Sequence, residues 1–271
     1  MPAKSKLGQN FLNDQDAIER IASSLGDLTG RAVVEIGPGL GAITESLAAR
    51  AGRLIAVEYD HQLAIRLKVH FGERIEVIEE DVLKFDFAAA AAEAGQRLSV
   101  IGNLPYYITS PILLKLAASQ AALDVAVLMV QREVADRVCA APGSHDYGVL
   151  SVSVQMYGPT QQLFTLPPSA FTPPPEVHST VFRWRFAPRF VELGVEEAPF
   201  LRLTRLAFAQ KRKTLSNNLR AAGIEPAVAA EALAKAGLEP LARAESLSLE
   251  DFAALCRALV QADALLAPAQ E

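Results

Sequence analysis

The five-residue segment Gly102-Asn103-Leu104-Pro105-Tyr106 carries groups suited to holding a flat base that bears an amino group. The Asn103 side chain and the Leu104–Pro105 backbone offer carbonyl oxygens, which accept hydrogen bonds from an amine, and Tyr106 offers a face for stacking. An exocyclic amine is a poor nucleophile because its lone pair is shared with the ring. Acceptors that bind its hydrogens can polarise it. The segment is therefore a candidate catalytic turn for N-methylation of adenine or a similar base.

A glycine loop, GPGLG at residues 37–41, lies upstream between a predicted strand and a predicted helix. Glycines let the backbone turn tightly and approach a ligand closely, and a helix N-terminus favours negative or electron-rich groups. Gly37 and Gly39 are therefore candidate cofactor contacts. The spacing Gly37-x-Gly39-x-x-Ala42 also fits the dinucleotide fingerprint, so NAD remains an alternative cofactor.

Two acids close the second and third predicted strands. Glu58 follows the glycine loop by about 20 residues, where a carboxylate can accept hydrogen bonds from both hydroxyls of a ribose. Asp81 can accept a hydrogen bond from an adenine amino group, which leaves Val82 or Leu83 to pack on the ring. Glu58, Asp81 and Val82 are therefore candidate cofactor-binding residues.

An NAD enzyme needs more than this site. It requires a second nucleotide half and a hydride-accepting site, usually with a His, Tyr-Lys or Cys arrangement. The four histidines are scattered and no Tyr-x-x-x-Lys motif occurs. A methyl sulfonium cofactor requires fewer protein groups, so it is favoured over NAD.

Apolar runs rich in β-branched residues alternate with helical patterns through the first two-thirds of the chain. This alternation is typical of βαβ units stacked into a parallel sheet. The predicted strands are residues 31–36, 54–58, 75–79, 99–101, 125–130 and 177–186. The predicted helices are residues 15–25, 42–51, 61–71, 88–94, 111–119 and 132–140. Residues 147–157 suit a helix or a strand.

A proline-rich stretch separates this pattern from a helical tail. The prolines at 167–168 and 173–175 predict an extended, exposed loop, residues 188–199 resemble a linker, and the chain from residue 200 onward is helical in composition. The 271 residues exceed a typical domain of roughly 150. We therefore predict a catalytic domain over 1–188 and a helical domain over 189–271.

The N-terminal segment is short and polar, with no apolar stretch that could be a signal sequence or span a bilayer. This predicts a cytoplasmic protein with no membrane partner. Cys139 and Cys256 have no CxxC neighbour and no His partner at metal spacing, so we expect buried thiols and no metal site. A monomer is the simplest expectation.

Charge is distributed unevenly along the chain. The net charge of −5 argues against a nucleic-acid partner, yet residues 198–220 contain six basic residues and no acid, which leaves −11 on the others. Five of these basic residues form the predicted RNA-binding surface: Arg202, Arg205, Lys211, Arg212 and Lys213. On an ideal helix of about 3.6 residues per turn, all of them except Lys211 lie within roughly 100°, an arc that could follow a phosphate backbone. Lys4 and Lys6 are expected to add to it.

Several segments in order resemble one family. They are LGQNFL at 7–12, VEIGPGLGAIT at 34–44, NLPY at 103–106, FTPPP at 171–175 and FAQKRKTLSNNL at 208–219. These segments resemble the KsgA (RsmA) rRNA adenine N6-dimethyltransferases, and the similarity extends over almost the whole chain. The wider family includes macrolide-resistance methyltransferases that act on large-subunit rRNA. The segment SLSLEDF at 246–252 is more similar to the small-subunit enzymes.

The resemblance implies a Rossmann-like class I methyltransferase fold, α/β with a mostly parallel seven-stranded sheet and a small all-α C-terminal domain that recognises rRNA. It implies S-adenosylmethionine as the donor. The implied target is two adjacent adenosines near the 3′ end of 16S rRNA in the small (30S) ribosomal subunit, each methylated twice, with a role in subunit biogenesis. A large-subunit methyltransferase of the resistance type is one alternative, and an NAD-dependent oxidoreductase is another.

The resemblance also assigns roles to cofactor-binding residues. Asn10 and Leu12 are expected to close over the cofactor, and Gly37 to lie under its methionine part. Glu58 is expected to bind the ribose, and Asp81 to hold the adenine amino group.

A second set of residues is expected to meet the target base. Asn103 is expected beside both the methionine part of the cofactor and the incoming base. The base must leave its stack to reach such a pocket, and stacking between aromatic side chains compensates part of that cost. Tyr106 and Phe171 are the predicted stacking pair, with Tyr107 in reserve.

Overall fold

The computed structural model describes residues 10–265, which form two compact units. The first contains residues 10–135 and 159–187, and the second contains residues 136–158 and 188–265. The strands, numbered in chain order, are β1 (Phe11–Leu12), β2 (Ala32–Ile36), β3 (Arg53–Glu58), β4 (Glu76–Glu79), β5 (Leu98–Asn103), β6 (Leu123–Gln131), β7 (Thr160–Leu166), β8 (Phe171–Thr172) and β9 (Ser179–Arg185). The α-helices are α1 (Gln15–Ser23), α2 (Ala42–Ala48), α3 (His61–Phe71), α4 (Phe87–Ala94), α5 (Thr109–Ala118), α6 (Arg132–Val138), α7 (Val149–Gln155), α8 (Glu197–Ala207), α9 (Leu215–Ala221), α10 (Pro226–Lys235) and α11 (Leu249–Gln261).

The first unit contains a seven-stranded sheet in the order β4-β3-β2-β5-β6-β9-β7. Of its strands, β9 runs antiparallel to both neighbours, while β4, β3, β2, β5 and β6 pair in parallel. Every residue of β2 is buried, as expected for a parallel strand covered on both faces. The predicted α/β fold with a mostly parallel seven-stranded sheet is confirmed. All six predicted strands and six predicted helices are present, and the ambiguous segment 147–157 contains helix α7.

The chain crosses the sheet after β4. From β2 it continues to β3 and β4 on one side, and it then returns to β5 on the other side of β2. The loops that leave β2 and β5 therefore diverge and leave a crevice, the usual ligand site of such sheets. Ile36 pairs with both Val57 and Gly102, so the segments that follow these three residues begin at the same level. A Cβ atom at Gly102 would lie 2.8 Å from the Ile36 carbonyl oxygen, so this close approach requires glycine.

Three strands are absent from the prediction. β7 lies at the edge of the sheet, where the exposed side chains of Gln161 and Gln162 interrupt the apolar pattern. β1 and β8 are two residues long and pair with each other antiparallel, with Leu12 opposite Phe171. A segment of two residues is too short for hydrophobic periodicity to identify.

The second unit packs its helices around aromatic side chains. Phe200 and Phe252 are fully buried with their ring centroids 6.4 Å apart, and Phe208 stacks on Phe252 at 5.8 Å. The helical character expected from residue 200 onward is present as α8 to α11. Helix α8 begins at Glu197, inside the predicted linker 188–199, so that linker is shorter than expected.

Residues 136–158 belong to the second unit, although the predicted boundary at residue 188 places them in the first domain. The Gly143 amide donates to the Glu245 carbonyl oxygen at 2.7 Å, and the Tyr147 and Phe208 rings lie 6.2 Å apart. These contacts join residues that are distant in sequence. Periodicity reports on local structure, and it carries no information about them.

Candidate active site

The carboxyl ends of β2, β3 and β5 open onto a cavity of about 440 Å³. It is lined by the glycine loop, by the segments that follow β3 and β4, and by the turn that follows β5. The predicted site residues that line it are Asn10, Leu12, Gly37, Gly39, Glu58, Asp81, Val82, Asn103, Leu104, Pro105 and Tyr106. The structure therefore brings the predicted cofactor residues and the predicted catalytic turn together in one cavity.

The glycine loop is held in place by backbone hydrogen bonds. Gly37 and Gly39 have φ angles of 63° and 59°, in the left-handed region that side chains other than glycine rarely adopt. The Gly37 amide donates to the Val57 carbonyl oxygen at 2.9 Å. The loop is thereby tied to the end of β3, beside the acid that closes that strand.

Glu58 is oriented by two backbone amides. Its side chain is buried, and Oε2 accepts from the Gly39 amide at 3.0 Å while Oε1 accepts from the Asp60 amide at 2.9 Å. Burial raises the pKa of Glu58, and the backbone amides of Asp60, Gly39 and Tyr59 act in the opposite direction. Because the two carboxylate oxygens together have about four acceptor positions, the carboxylate retains capacity for a further donor. The geometry suits a ligand that presents two neighbouring hydroxyls.

Glu35 is a site residue that the sequence reasoning missed. It lines the cavity with 2% of its surface exposed, and its Oε2 has no hydrogen-bond partner among the described residues. Burial raises the pKa of Glu35 to about 7, helped by the charge of Glu58 and opposed by the Thr44 hydroxyl, which lies close without forming a well-oriented hydrogen bond. The available signal was an acid inside an otherwise apolar strand, since a buried carboxyl without a partner is costly.

The segment after β4 provides an acid beside an apolar surface. One carboxylate oxygen of Asp81 accepts from the Leu83 amide at 3.0 Å, which fixes a tight turn. Val82 is buried between these two residues and lines the cavity. The pair can accept from an amino group and pack against a flat ring.

The orientation of the Asn103 amide follows from its partner. Its Nδ2 donates to the Asn10 backbone carbonyl oxygen at 3.2 Å. A carbonyl oxygen can only accept, so the amide nitrogen must face Asn10, and none of the residues that the structure describes donates to Oδ1. The site thus holds one side-chain carbonyl ready for an amino group.

The next two carbonyls of the turn differ in availability. The Pro105 carbonyl oxygen accepts from Thr109 Oγ1 at 3.1 Å and from the Ile108 amide at 3.2 Å. The Leu104 amide donates to the Met129 carbonyl oxygen at 3.0 Å, which ties the turn to β6. Among residues 10–265, no hydrogen bond reaches the Leu104 carbonyl oxygen. Leu104 is therefore the backbone acceptor that the turn leaves available.

Tyr106 is half-buried and its ring is tethered. Its hydroxyl lies 3.0 Å from Ser179 Oγ, and Ser179 is fully buried at the start of β9. The tether fixes an aromatic face at the cavity, as the predicted stacking role requires.

The predicted stacking role of Phe171 stays a prediction, and its ring does not line the cavity. Its side chain is 2% exposed, belongs to the core cluster of the first unit together with Leu12 and Ala170, and is absent from the cavity lining. Because β1 pairs alongside β8, the ring packs in the core of the first unit. Tyr107, held in reserve, lines the cavity and is 63% exposed.

The structure contradicts the expectation that the basic arc lies on a single helix. Helix α8 ends at Ala207, and residues 208–214 form turns before α9. The buried Asn218 side chain donates to the Ala207 and Gln210 carbonyl oxygens at 2.7 and 3.2 Å, so it satisfies groups that a longer helix would use. A hydrogen bond to a residue in the next helix cannot be read from local periodicity.

The individual basic side chains remain on the surface to different degrees. Arg205, Arg212 and Lys213 are exposed. Arg202 is half-buried and donates to the Leu265 carbonyl oxygen at 3.3 Å, and Lys211 donates to the His145 carbonyl oxygen at 3.0 Å. Two further cations from the prediction, Lys4 and Lys6, lie outside the described residues.

Within residues 10–265, no three His, Cys, Asp or Glu side chains group as metal ligands. In the same part of the chain, no helix is long and apolar enough to cross a bilayer. Cys256 is buried as expected, whereas Cys139 is half-buried.

Comparisons with known proteins agree with this geometry. The family model of ribosomal RNA adenine dimethylases matches residues 2–261. A ribosomal RNA small subunit methyltransferase A from Acidobacterium capsulatum is 57% identical over 258 residues, which cover 94% of this chain and 91% of that protein.

Two solved structures share the fold over most of the chain. A dimethyladenosine transferase from Plasmodium falciparum has a TM-score of 0.77 at 23% identity, with 93% of this chain and 98% of that chain covered. The 23S rRNA methyltransferase ErmE has a TM-score of 0.72 at 26% identity, with 93% and 100% covered. These likenesses confirm the predicted Rossmann-like methyltransferase fold, and the family match confirms the resemblance seen in the motifs. The chain belongs to the ribosomal RNA adenine dimethylase family.

Proposed function

We propose that this protein transfers methyl groups from S-adenosylmethionine to N6 of two adjacent adenosines near the 3′ end of 16S rRNA, in the small ribosomal subunit. The observation that carries the proposal is the orientation of Asn103, whose side-chain carbonyl is left as an acceptor in the cavity that also contains Glu58. Identity of 57% to a small-subunit enzyme, against 26% to a large-subunit one, supports the small subunit as target. We further propose a cytoplasmic monomer with a role in subunit biogenesis.

The cavity has the groups that S-adenosylmethionine requires. The Glu58 carboxylate, oriented by the Gly39 and Asp60 amides, retains acceptor capacity for the ribose hydroxyls. Asp81 and Val82 suit the adenine, and the glycine loop allows close backbone approach. Oε2 of Glu35, which has no partner within residues 10–265, is a buried acceptor suited to an ammonium group. When bound, this cofactor supplies a methyl group on a positively charged sulfur atom.

The catalytic turn acts on the target base. Asn103 Oδ1 and the Leu104 carbonyl oxygen accept hydrogen bonds from the two N–H groups of the adenine amine. These bonds draw the nitrogen lone pair out of conjugation with the ring. These bonds strengthen as the nitrogen becomes positive, so they stabilise the transition state more than the ground state. Tyr106, held by Ser179, stacks on the flipped base and aligns it. A singly methylated amine has one N–H fewer, so the second transfer uses one acceptor less.

The basic side chains of the second unit are proposed to bind rRNA phosphates. Residues 198–220 contain no acid, so no carboxylate within that segment neutralises its cations. Arg205, Arg212 and Lys213 are exposed, and such side chains contact phosphates without reading base sequence. Arg202 and Lys211 each donate to a backbone carbonyl, and we propose them as secondary contacts.

Labelled S-adenosylmethionine tests the proposal directly. Purified small and large ribosomal subunits that lack the modification are incubated with the protein, and label is counted in each rRNA. The proposal requires label in the small-subunit rRNA. Label in the large-subunit rRNA alone would support the resistance-type alternative. Thermal protection of the protein by NAD and not by S-adenosylmethionine would contradict the cofactor assignment.

A further inference from the structure

Tyr107 is an aromatic side chain that the mechanism above leaves without a role. It follows Tyr106 in the short 3₁₀ turn Tyr106–Ile108, lines the cavity and is 63% exposed. Among residues 10–265, it has neither a hydrogen-bond partner nor an aromatic neighbour, whereas the Tyr106 hydroxyl is held by Ser179. A large, mostly apolar side chain in this position is available to a ligand.

The two tyrosines cannot serve the same base. A 3₁₀ helix has about three residues per turn, so consecutive side chains point about 120° apart. If the tethered Tyr106 ring stacks on the base inside the cavity, the Tyr107 ring must face a different part of the substrate. Since Tyr107 is the exposed member of the pair, that part lies at the cavity mouth.

We propose that Tyr107 stacks on the adenosine adjacent to the one held in the cavity. The inference rests on the proposed function, in which the two targets are neighbours in one strand. Flipping one base out of its stack removes a stacking partner from the next base. An exposed aromatic ring at the mouth replaces that partner, and stacking on an aromatic side chain needs no base-specific hydrogen bond. Tyr107 thereby acts as a positioning residue that holds both adenosines at the entrance.

The first experiment compares three variants on unmodified small subunits. Tyr107→Ala removes the ring, and Tyr107→Phe keeps the ring and removes the hydroxyl. Leu114→Ala is the matched control, because Leu114 is also 63% exposed, lies on the helix that follows the turn, and does not line the cavity. We expect Tyr107→Ala to raise KM for subunits by roughly 5- to 150-fold, the effect of losing one stacked base. Tyr107→Phe and Leu114→Ala should stay close to the wild type.

Two results would overturn the inference. A Tyr107→Phe variant as impaired as Tyr107→Ala would assign the effect to the hydroxyl. A Tyr107→Ala variant that loses affinity for S-adenosylmethionine by the same factor as it loses affinity for subunits would place Tyr107 in the cofactor site. Binding of the cofactor alone to each variant, measured by calorimetry, separates these cases from stacking.

A second experiment tests the contact itself. Small subunits are reconstituted with 16S rRNA in which one of the two adenosines is replaced by uridine, a base that stacks less well, and methylation of the other is measured. If Tyr107 contacts the replaced base, the effects of Tyr107→Ala and of uridine are not additive, as expected for groups in contact. Additive effects would contradict the inference. Since each comparison is a ratio to the wild type, absence of methylation by the wild type would count against the proposed function instead.

Discussion

Asn103 is the residue on which the proposed chemistry depends most, because the Asn10 carbonyl fixes which end of its amide is an acceptor. Replacing Asn103 by alanine removes one of two acceptors for the target amine. We expect kcat to fall by about 10²- to 10³-fold, as when one preorganised hydrogen-bonding group at a reacting centre is removed. Subunit binding should persist, since the phosphate contacts are unchanged. A kcat within tenfold of the wild type would contradict the role.

Glu35 makes the free energy of unfolding depend on pH, and a single substitution can test its contribution. Its pKa is raised from 4.5 to about 7. Between these two pH values, the folded protein therefore keeps a proton on Glu35 that the unfolded chain has released. The free energy of unfolding should therefore fall as pH rises from about 4.5 to 7 and change no further above that range, a contribution of about 3 kcal/mol.

Glu35→Gln is the variant that tests this contribution. The variant should not show the fall in the free energy of unfolding between pH 5 and pH 8. Its stability minus that of the wild type should therefore be larger at pH 8 than at pH 5. Denaturant unfolding at the two pH values measures the difference. An identical difference between the proteins at both pH values would contradict the raised pKa.

Most residues of the cavity lining could be predicted from the sequence because each motif specifies individual positions. Asn103, Glu58 and the glycine loop all reach the cavity that their motifs imply. Phe171 did not, because its burial depends on the short pairing of β1 with β8, which no motif describes. Glu35 was not predicted because the sequence of a buried strand does not show that a cavity lies beside it.

Helix α8 shows how an element's end is set by tertiary structure. Asn218 is 2% exposed, donates to the Ala207 and Gln210 carbonyl oxygens, and accepts from the Gln210 amide at 3.2 Å. Asn218→Ala leaves these buried groups unpaired and should lower the free energy of unfolding by about 1–3 kcal/mol. Asn217→Ala, at the exposed neighbouring position, should change it by less than about 0.5 kcal/mol. Equal effects in chemical denaturation would contradict this account of the helix end.

At the element scale, the central strands and their helices could be predicted because their apolar periods are long and regular. β7 could not, since an edge strand with exposed glutamines lacks a clear alternation. The end of α8 could not either. The basic residues that follow α8 lie on turns because Asn218, in the next helix, binds the carbonyl oxygens at the end of α8. The sequence around the end of α8 does not show these hydrogen bonds.

The whole molecule is acidic, with a net charge of −5, yet it is proposed to bind a polyanion. Binding must then depend on the local cluster of cations in the second unit. The double variant Arg205→Ala and Arg212→Ala should weaken subunit binding and reduce the slope of log K against log salt by about 1.4 to 1.8, which corresponds to two phosphate contacts. Lys235→Ala, whose cation is paired with Glu231, is the control. An unchanged slope in the double variant would contradict the proposed surface.

In the proposed reaction, the turn after β5 presents an adenine amino group to a methyl donor bound beside Glu58. The most direct test is mass spectrometric mapping of 16S rRNA from unmodified small subunits, after incubation with S-adenosylmethionine and either the wild-type protein or Asn103→Ala. We predict that the wild type converts two adjacent adenosines near the 3′ end to N6,N6-dimethyladenosine and that the variant leaves them almost unmodified. Methylation at another position, or equal modification by both proteins, would contradict the account.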